Sequence, residues 1–248
     1  MSMEPDLNKK PLNEWSERER IRTVKKIFST ITPRYDLLNH ILSAGQDIRW
    51  RNFTSRRLPE KATRVLDVAT GTGDLAITIA KKHPRLHVTG VDFVKEMMEV
   101  AEEKTRRAGL MSKIDYVSGD AMRLPFDNNM FDAATIAFGF RNIPNRIGAL
   151  REMSRVIKSG GKVLVLEMTL PRETVSSRFF KWYLKNVLPR VGRVISGNKD
   201  AYDYLSNSIE DFLKPDELTE YFKQAGLHEI KVFPLTLGIT CLHEGIVP

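Results

Sequence analysis

The sequence predicts an α/β fold: a doubly wound, seven-stranded, mostly parallel sheet, with a helical N-terminal cap and a helical insertion before the last two strands. Two observations carry this. From residue 64 onward, short apolar runs alternate with segments whose apolar residues recur at helical spacing. Continuous apolar strands separated by helices belong to a parallel sheet covered on both faces. The closing runs "HEIKVFP" and "GITCLHEG" stand close enough to pair antiparallel.

The elements follow in order. Residues 1–60 read as a helical cap with a flexible leader to about Asn13, then "RIRTVKKIFSTI" at helical period. "RVLDVA" (64–69) is the first strand, followed by a helix from about Asp74 to Lys82. "LHVTGVD" (86–92) precedes a helix carrying Val94, Met97, Met98, Ala101 and Ala108, with Gly109 as its stop. "KIDYVSG", "DAATIAFG" and "KVLVLEM" (162–168) are the next strands. Between the last two, Ile147, Leu150, Met153 and Ile157 form a helical stripe that ends at Gly160-Gly161. Residues 172–212 break the rhythm with the helix-like pieces "SSRFFKWYLKNVL" and "AYDYLSNSIEDF", and a helix from about Pro215 to Gln224 stops at Gly226.

Composition narrows the classes. The 248 residues are 42% hydrophobic and 28% charged, enough for a core and globular in balance. The polar N-terminus lacks a secretory h-region, no run approaches the roughly 20 apolar residues of a membrane span, and a single cysteine, Cys241, excludes an intrachain disulfide. A cytoplasmic location is expected. His83 and His87 are separated by Pro84, so no metal site is expected. The net charge is +8, and Arg172–Lys199 holds seven basic residues against Glu173. Phe179, Phe180, Trp182 and Tyr183 are interleaved with them, which suits peripheral contact with an anionic membrane surface; a lid helix with a basic rim is the alternative. Dimerisation is left open, with no exposed apolar stripe demanding it.

Gly71, Gly73 and Ala76 satisfy G-x-G-x-x-A after a strand, a turn that serves a dinucleotide or S-adenosylmethionine equally on spacing. The flanking acids separate the two. Asp67 before the turn and Asp74 after it would repel a pyrophosphate, which otherwise suits a helix N-terminus. They fit the ammonium and sulfonium of S-adenosylmethionine. Asp74 alone also reads as a helix cap. Asp92 closes the second strand and Asp120 the third, so Asp67, Gly71–Gly73, Asp92 and Asp120 mark one crevice along the strand ends.

With "ATGTGD", "LPFDNNMFD", "FGFRN" and "RVIKSGG" in order, the chain resembles a class I, Rossmann-like methyltransferase, and more narrowly the ubiquinone/menaquinone biosynthesis C-methyltransferases. The selective blocks are "YDLLNHILSAGQDIRWR", "FGFRNIPN", "LEMTLP", "LPRVG", "AYDYLSNSI" and "LTLGITCLHEG", which together cover nearly everything past residue 20. The resemblance implies a methyltransferase domain over 61–248 with a helical lid at 172–212. It also implies methyl transfer from S-adenosylmethionine to a ring carbon of a polyprenyl quinol: demethylmenaquinol, a benzoquinol precursor of ubiquinone, or both. Donor contacts are implied at Thr72, Asp92, Asp120 and Ala121. Three departures stand out: Asp47 where many members have histidine, "KSGG" for "KPGG", and Ala137 where some have serine.

An activated methyl donor requires no metal. The acceptor requires a group that creates or holds a phenolate. Arg141, just past the fourth strand, is the first candidate, with a salt bridge to a helix carboxylate as its alternative. Asn142 and Tyr35 are candidates for orienting the quinol oxygen, and His40 for a base. Nucleic-acid methylation fits less well: "AFGFRNIP" stands where an Asn/Asp-Pro-Pro-aromatic run would serve amino nitrogens, and Cys241 lies in the last strand. Another lipophilic acceptor, a non-catalytic quinone carrier and an NAD-dependent oxidoreductase are the remaining alternatives.

Overall fold

The computed structural model describes residues 15–169, 182–183, 186–187 and 199–248. The expected leader and nearly all of the basic aromatic segment lie outside these residues. Among the described residues, three α-helices precede the sheet: α1 (Glu17–Ile31), α2 (Tyr35–Leu42) and α3 (Gln46–Ser55). Ser16 caps α1 in a reciprocal box, its Oγ accepting the Glu19 N–H at 3.3 Å and its own N–H donating to Glu19 Oε2 at 2.7 Å. The buried face of α1, Thr23, Val24, Ile27 and Ile31, follows the helical period.

The sheet consists of β1 (Arg64–Val68), β2 (His87–Asp92), β3 (Ile114–Ser118), β4 (Phe131–Ala137), β5 (Ile157–Met168), β6 (His228–Leu235) and β7 (Thr240–Ile246), in the order β3-β2-β1-β4-β5-β7-β6. β7 runs antiparallel to both neighbours, and the other pairings among β1–β5 are parallel. The connecting helices are α4 (Asp74–Lys82), α5 (Lys95–Arg107), α6 (Arg146–Val156), α7 (Lys199–Glu210) and α8 (Pro215–Gln224). One apolar cluster joins Leu66, Ile136, Leu150, Met153 and Phe222; another joins Val65, Ile79, Val88, Leu164 and Leu242. Both faces of the sheet are therefore covered, which is why β1 and β4 are mostly apolar and buried along nearly their whole length. A third cluster packs Val24, Ile27 and Leu38 of the cap against Tyr204 and Ile209 of α7.

The fifth strand departs from the expectation. It starts at Ile157, with no gap after α6, and bends at Gly160 (φ +76°). The Gly160 N–H donates to Val247 O at 2.9 Å, so strand pairing takes over where a helix stop was expected.

The chain enters at β1, winds outward through β2 and β3, and returns to β4 on β1's other side. The C-terminal ends of β1 and β4 thus face a crevice at the topological switch point, where open α/β sheets bind ligands. Gly73 serves this turn by packing. Its φ is +79°, and a Cβ there would lie 2.5 Å from the Tyr116 hydroxyl.

Candidate active site

Three hollows meet over the switch point. The first, of about 280 Å³, is lined by Gly71, Asp92, Met97, Asp120 and Ala121 from the strand ends, and by Tyr35 and Phe28 from the cap. The second, of about 220 Å³, lies between the cap and the insertion; Asn39, Leu42, Trp50, Arg141, Met168, Tyr183, Leu205 and Ile239 are among its walls. A narrow cleft of about 30 Å³ carries Asp67, Gly71, Thr72, Asp74 and Arg51. Tyr35 borders all three, and Phe138 separates the first two.

The glycine turn is held by the acid at the end of β2. Asp92 accepts the Gly71 N–H at 2.8 Å and the Val94 N–H at 2.9 Å. Burial raises its pKa, and these N–H donors act against the rise. Asp67 is buried at the end of β1 and accepts from the hydroxyls of Thr70 and Thr135, each at 2.7 Å. Burial pushes its carboxyl up to about 6 despite those bonds. Asp120 accepts the Met122 N–H at 2.9 Å.

The expected crevice is divided between two hollows: Gly71, Asp92, Asp120 and Ala121 line the first, while Asp67, Gly71 and Thr72 line the cleft. Gly73 lines neither. Asp74 requires a correction, because its charge is answered inside the chain. Its carboxylate takes Lys104 Nζ at 2.5 Å and lies 3.6 Å from Arg51. Lys104 also reaches Asp36 of α2 at 2.5 Å, and Asp36 accepts the Thr72 hydroxyl at 2.5 Å. Lys104 therefore ties the cap to the glycine turn. The argument from charge now rests on Asp67 and Asp92.

Arg141 is buried and lines the second hollow. Its Nη1 donates to Glu167 Oε1 at 2.7 Å and to Phe138 O at 2.5 Å, and its Nε to Ser208 Oγ at 3.2 Å. The salt bridge weighed for it is present, with a strand carboxylate where a helix one was expected. Burial works most strongly against its charge, but Glu167, Tyr35 and Tyr204 together outweigh it and raise its pKa. No hydrogen bond holds Nη2 among the described residues. Asn142 lines the first hollow and not the second, and its Oδ1 accepts the Tyr204 hydroxyl at 2.9 Å. Burial raises the Tyr35 phenol, with the Arg141 guanidinium acting against the rise.

His40 lines neither large hollow. Its Nδ1 meets Asp47 at 2.7 Å, and Asp47 also accepts from Ser43 at 2.7 Å and from Arg51. The oxygens and nitrogen of His40, Asp47 and Asp74 lie within 4.8 Å of one another, but Arg51 and Lys104 already pair with these acids.

Several site residues were not expected: Phe138, Arg51, Lys104, Asp36 and Glu167. Phe138 directly follows β4 at φ +59°, an uncommon conformation for a bulky residue, with Arg51 5.3 Å above its ring. The signal available for it was "FGFRN" following a strand.

A family model described as the ubiE/COQ5 methyltransferase family matches residues 15–247. The chain belongs to this family. Among relatives, the demethylmenaquinone methyltransferase of Thermus thermophilus is 42% identical over 223 residues, 90% of this chain and all of that one. That of Deinococcus radiodurans is 38% identical over 96% of this chain and 97% of its own length. The ubiquinone/menaquinone biosynthesis C-methyltransferase UbiE of a Geobacter species is 40% identical, covering 92% and 97%. In solved structures the fold matches a SAM-dependent methyltransferase of Thermotoga maritima with TM-score 0.63 and 17% identity, over 90% of this chain and 99% of that one. The ubiE/COQ5 member described here is a seven-stranded, Rossmann-like S-adenosylmethionine-dependent C-methyltransferase.

Asp67 gives this member a pH signature. The folded chain keeps the Asp67 proton up to about pH 6, whereas the ordinary value is 3.8, so its stability contribution declines as pH rises between the two. On the reading that the donor's ammonium lies beside it, binding needs the carboxylate. Affinity for S-adenosylhomocysteine is expected to rise from pH 5 to pH 7, and to lose most of that rise in Asp67→Asn, as read by calorimetry. A slope unchanged in Asp67→Asn would contradict the assignment.

Proposed function

We propose that the chain methylates a ring carbon of a polyprenyl quinol, with the donor in the first hollow and the quinol ring in the second. The carrying observation is the meeting of an acid-bearing hollow and an apolar one at Tyr35 and Phe138. The relatives are named for demethylmenaquinone and for the ubiquinone and menaquinone pathways, and both ring types are proposed here, the naphthoquinol slightly favoured.

The residues fit the donor. Gly71, Asp92, Asp120 and Ala121 would hold its nucleoside end, and Asp67 and Thr72 its amino-acid end. Asp92 and Asp67 suit hydroxyls and an ammonium, and would repel a pyrophosphate. When bound, S-adenosylmethionine supplies a methyl on a sulfonium, which the ring carbon takes as the C–S bond breaks; that carbon then loses its own proton to restore the aromatic ring.

The chain's own residues prepare that carbon. Loss of a quinol hydroxyl proton places electron density on the ring carbon. Arg141, fixed by Glu167 with Nη2 unbonded among the described residues, stabilises the phenolate oxygen or orients a water that accepts the proton. Tyr35, at the border of both hollows, positions the quinol oxygen, and Asn142 acts from the donor side, held by Tyr204. Phe138 and Trp50, with ring centres 5.9 Å apart, keep the ring environment dry. Alignment of the two reactants can supply effective molarities of about 10⁵ M or more.

The mechanism requires the reduced ring. With S-adenosylmethionine, demethylmenaquinol is expected to gain a methyl and the oxidised quinone to remain unchanged, as read by mass spectrometry. Equal methylation of both forms would contradict phenolate activation. Peripheral contact with an anionic membrane surface is part of the same proposal, because the acceptor's prenyl tail resides in a bilayer. No helix among the described residues is long and apolar enough to cross one.

A further inference from the structure

The second hollow has an apolar rim. Six large apolar side chains are strongly exposed among the described residues, and five of them surround this hollow: Leu37, Ile41, Ile48, Trp182 and Leu237, between 48% and 78% exposed. Each stands within two residues of a wall residue, namely Tyr35 or Asn39, Leu42, Asp47, Tyr183 and Thr236. Three separate stretches of chain thus place their inward neighbours in the wall and these side chains outside it. Leu37 and Ile41 are four apart on α2 and share one face. Two contacts join the stretches: the Tyr183 hydroxyl donates to Leu42 O at 2.8 Å, and Trp50 Nε1 donates to Thr236 Oγ1 at 2.9 Å. A rim of this kind is unusual on a soluble surface and marks an interaction site.

Charge identifies the occupant. Along the cap stretch that carries the rim, residues 34–56, the exposed charged residues are Arg34, Arg49 and Arg56, with no exposed acid. Arg49 and Arg56 stand two turns apart on and just after α3, beside Ile48. A second copy meeting this face in a two-fold arrangement would set these cations against themselves. An anionic lipid surface complements them and accepts the apolar rim at the level of its headgroups.

We infer that this face of the cap is the membrane-docking surface, and that the rim seats the second hollow's mouth on anionic phospholipid. The passage of a prenyl tail through that mouth rests on the quinol reading; the docking itself does not. The docking surface is then built by the N-terminal helices and the β6–β7 turn, in addition to any part played by the basic aromatic segment.

The test uses the whole chain and vesicles of phosphatidylcholine with or without phosphatidylglycerol. Wild type is expected to sediment with the anionic vesicles and to dissociate in high salt. The double variant Leu37→Ser/Ile41→Ser, at exposed positions outside the walls, is expected to lose about tenfold or more in partitioning. Arg49→Glu/Arg56→Glu is expected to lose a similar factor together with most of the salt dependence. Circular dichroism verifies that each variant is folded, and both should retain wild-type turnover on a short-tailed, water-soluble quinol. Partitioning unchanged in both variants would overturn the inference. So would a wild-type dimer that Leu37→Ser/Ile41→Ser splits without changing vesicle binding, which would give the face to a second copy. Vesicle binding as expected with no quinol methylated would leave the docking surface standing and overturn the proposed function.

Discussion

Glu167→Ala is expected to destabilise the protein by roughly 3–5 kcal/mol, the usual cost of leaving one partner of a buried ion pair alone. The Glu167 side chain is fully buried and accepts three bonds: the Arg141 backbone N–H at 3.0 Å, Arg141 Nη1 at 2.7 Å and the Met168 N–H at 2.9 Å. Its removal leaves the guanidinium charged at the wall of the second hollow. Urea unfolding measures the loss, and a change under about 1 kcal/mol would show the pair to be dispensable. Arg141→Ala would orphan Glu167 in turn, so its activity reports fold and chemistry together. Arg141→Lys, which keeps the charge and loses the fork, separates them: stability should largely survive and turnover fall.

The second large effect belongs to Asp92. Hydrogen bonds to a charged group contribute about 1.5–3 kcal/mol each. If Asp92 receives two ribose hydroxyls, Asp92→Ala should weaken S-adenosylhomocysteine by roughly 10²–10⁴-fold. The same change removes the acceptor of the Gly71 and Val94 N–H groups, so the glycine turn should loosen as well. Calorimetry gives the affinity directly. An affinity within a few-fold of wild type would exclude Asp92 from the donor site.

These effects also show what the sequence could convey. The helix after the glycine turn was legible to the residue, Asp74–Lys82, because Gly73 and the following apolar period leave little choice of start. That Gly71, Asp92 and Asp120 line one hollow was legible because they follow or close strands at the C-terminal edge of a parallel sheet, whereas Ala121 came from the family resemblance. Long-range partners were not. Nothing local in "LEMTLP" says that Glu167 faces Arg141, or in α5 that Lys104 turns toward Asp36 and Asp74. Leu37 and Ile41 show the same limit on an exposed surface. Apolar residues four apart on a helix read as core, and only the position of α2 against its neighbours leaves them exposed. Ile157 continued a helical stripe, yet pairing with Phe131 draws it into β5. Local pattern determines an element's type, and tertiary contact determines where it ends and what it faces.

The central claim is that the two hollows hold a methyl donor and a quinol ring. Methyl transfer from carbon-13 methyl-labelled S-adenosylmethionine to demethylmenaquinol tests it most directly, with the product read by NMR. The account predicts the label on a ring carbon. Label on a quinol oxygen, or no labelled quinol despite donor binding, would contradict it.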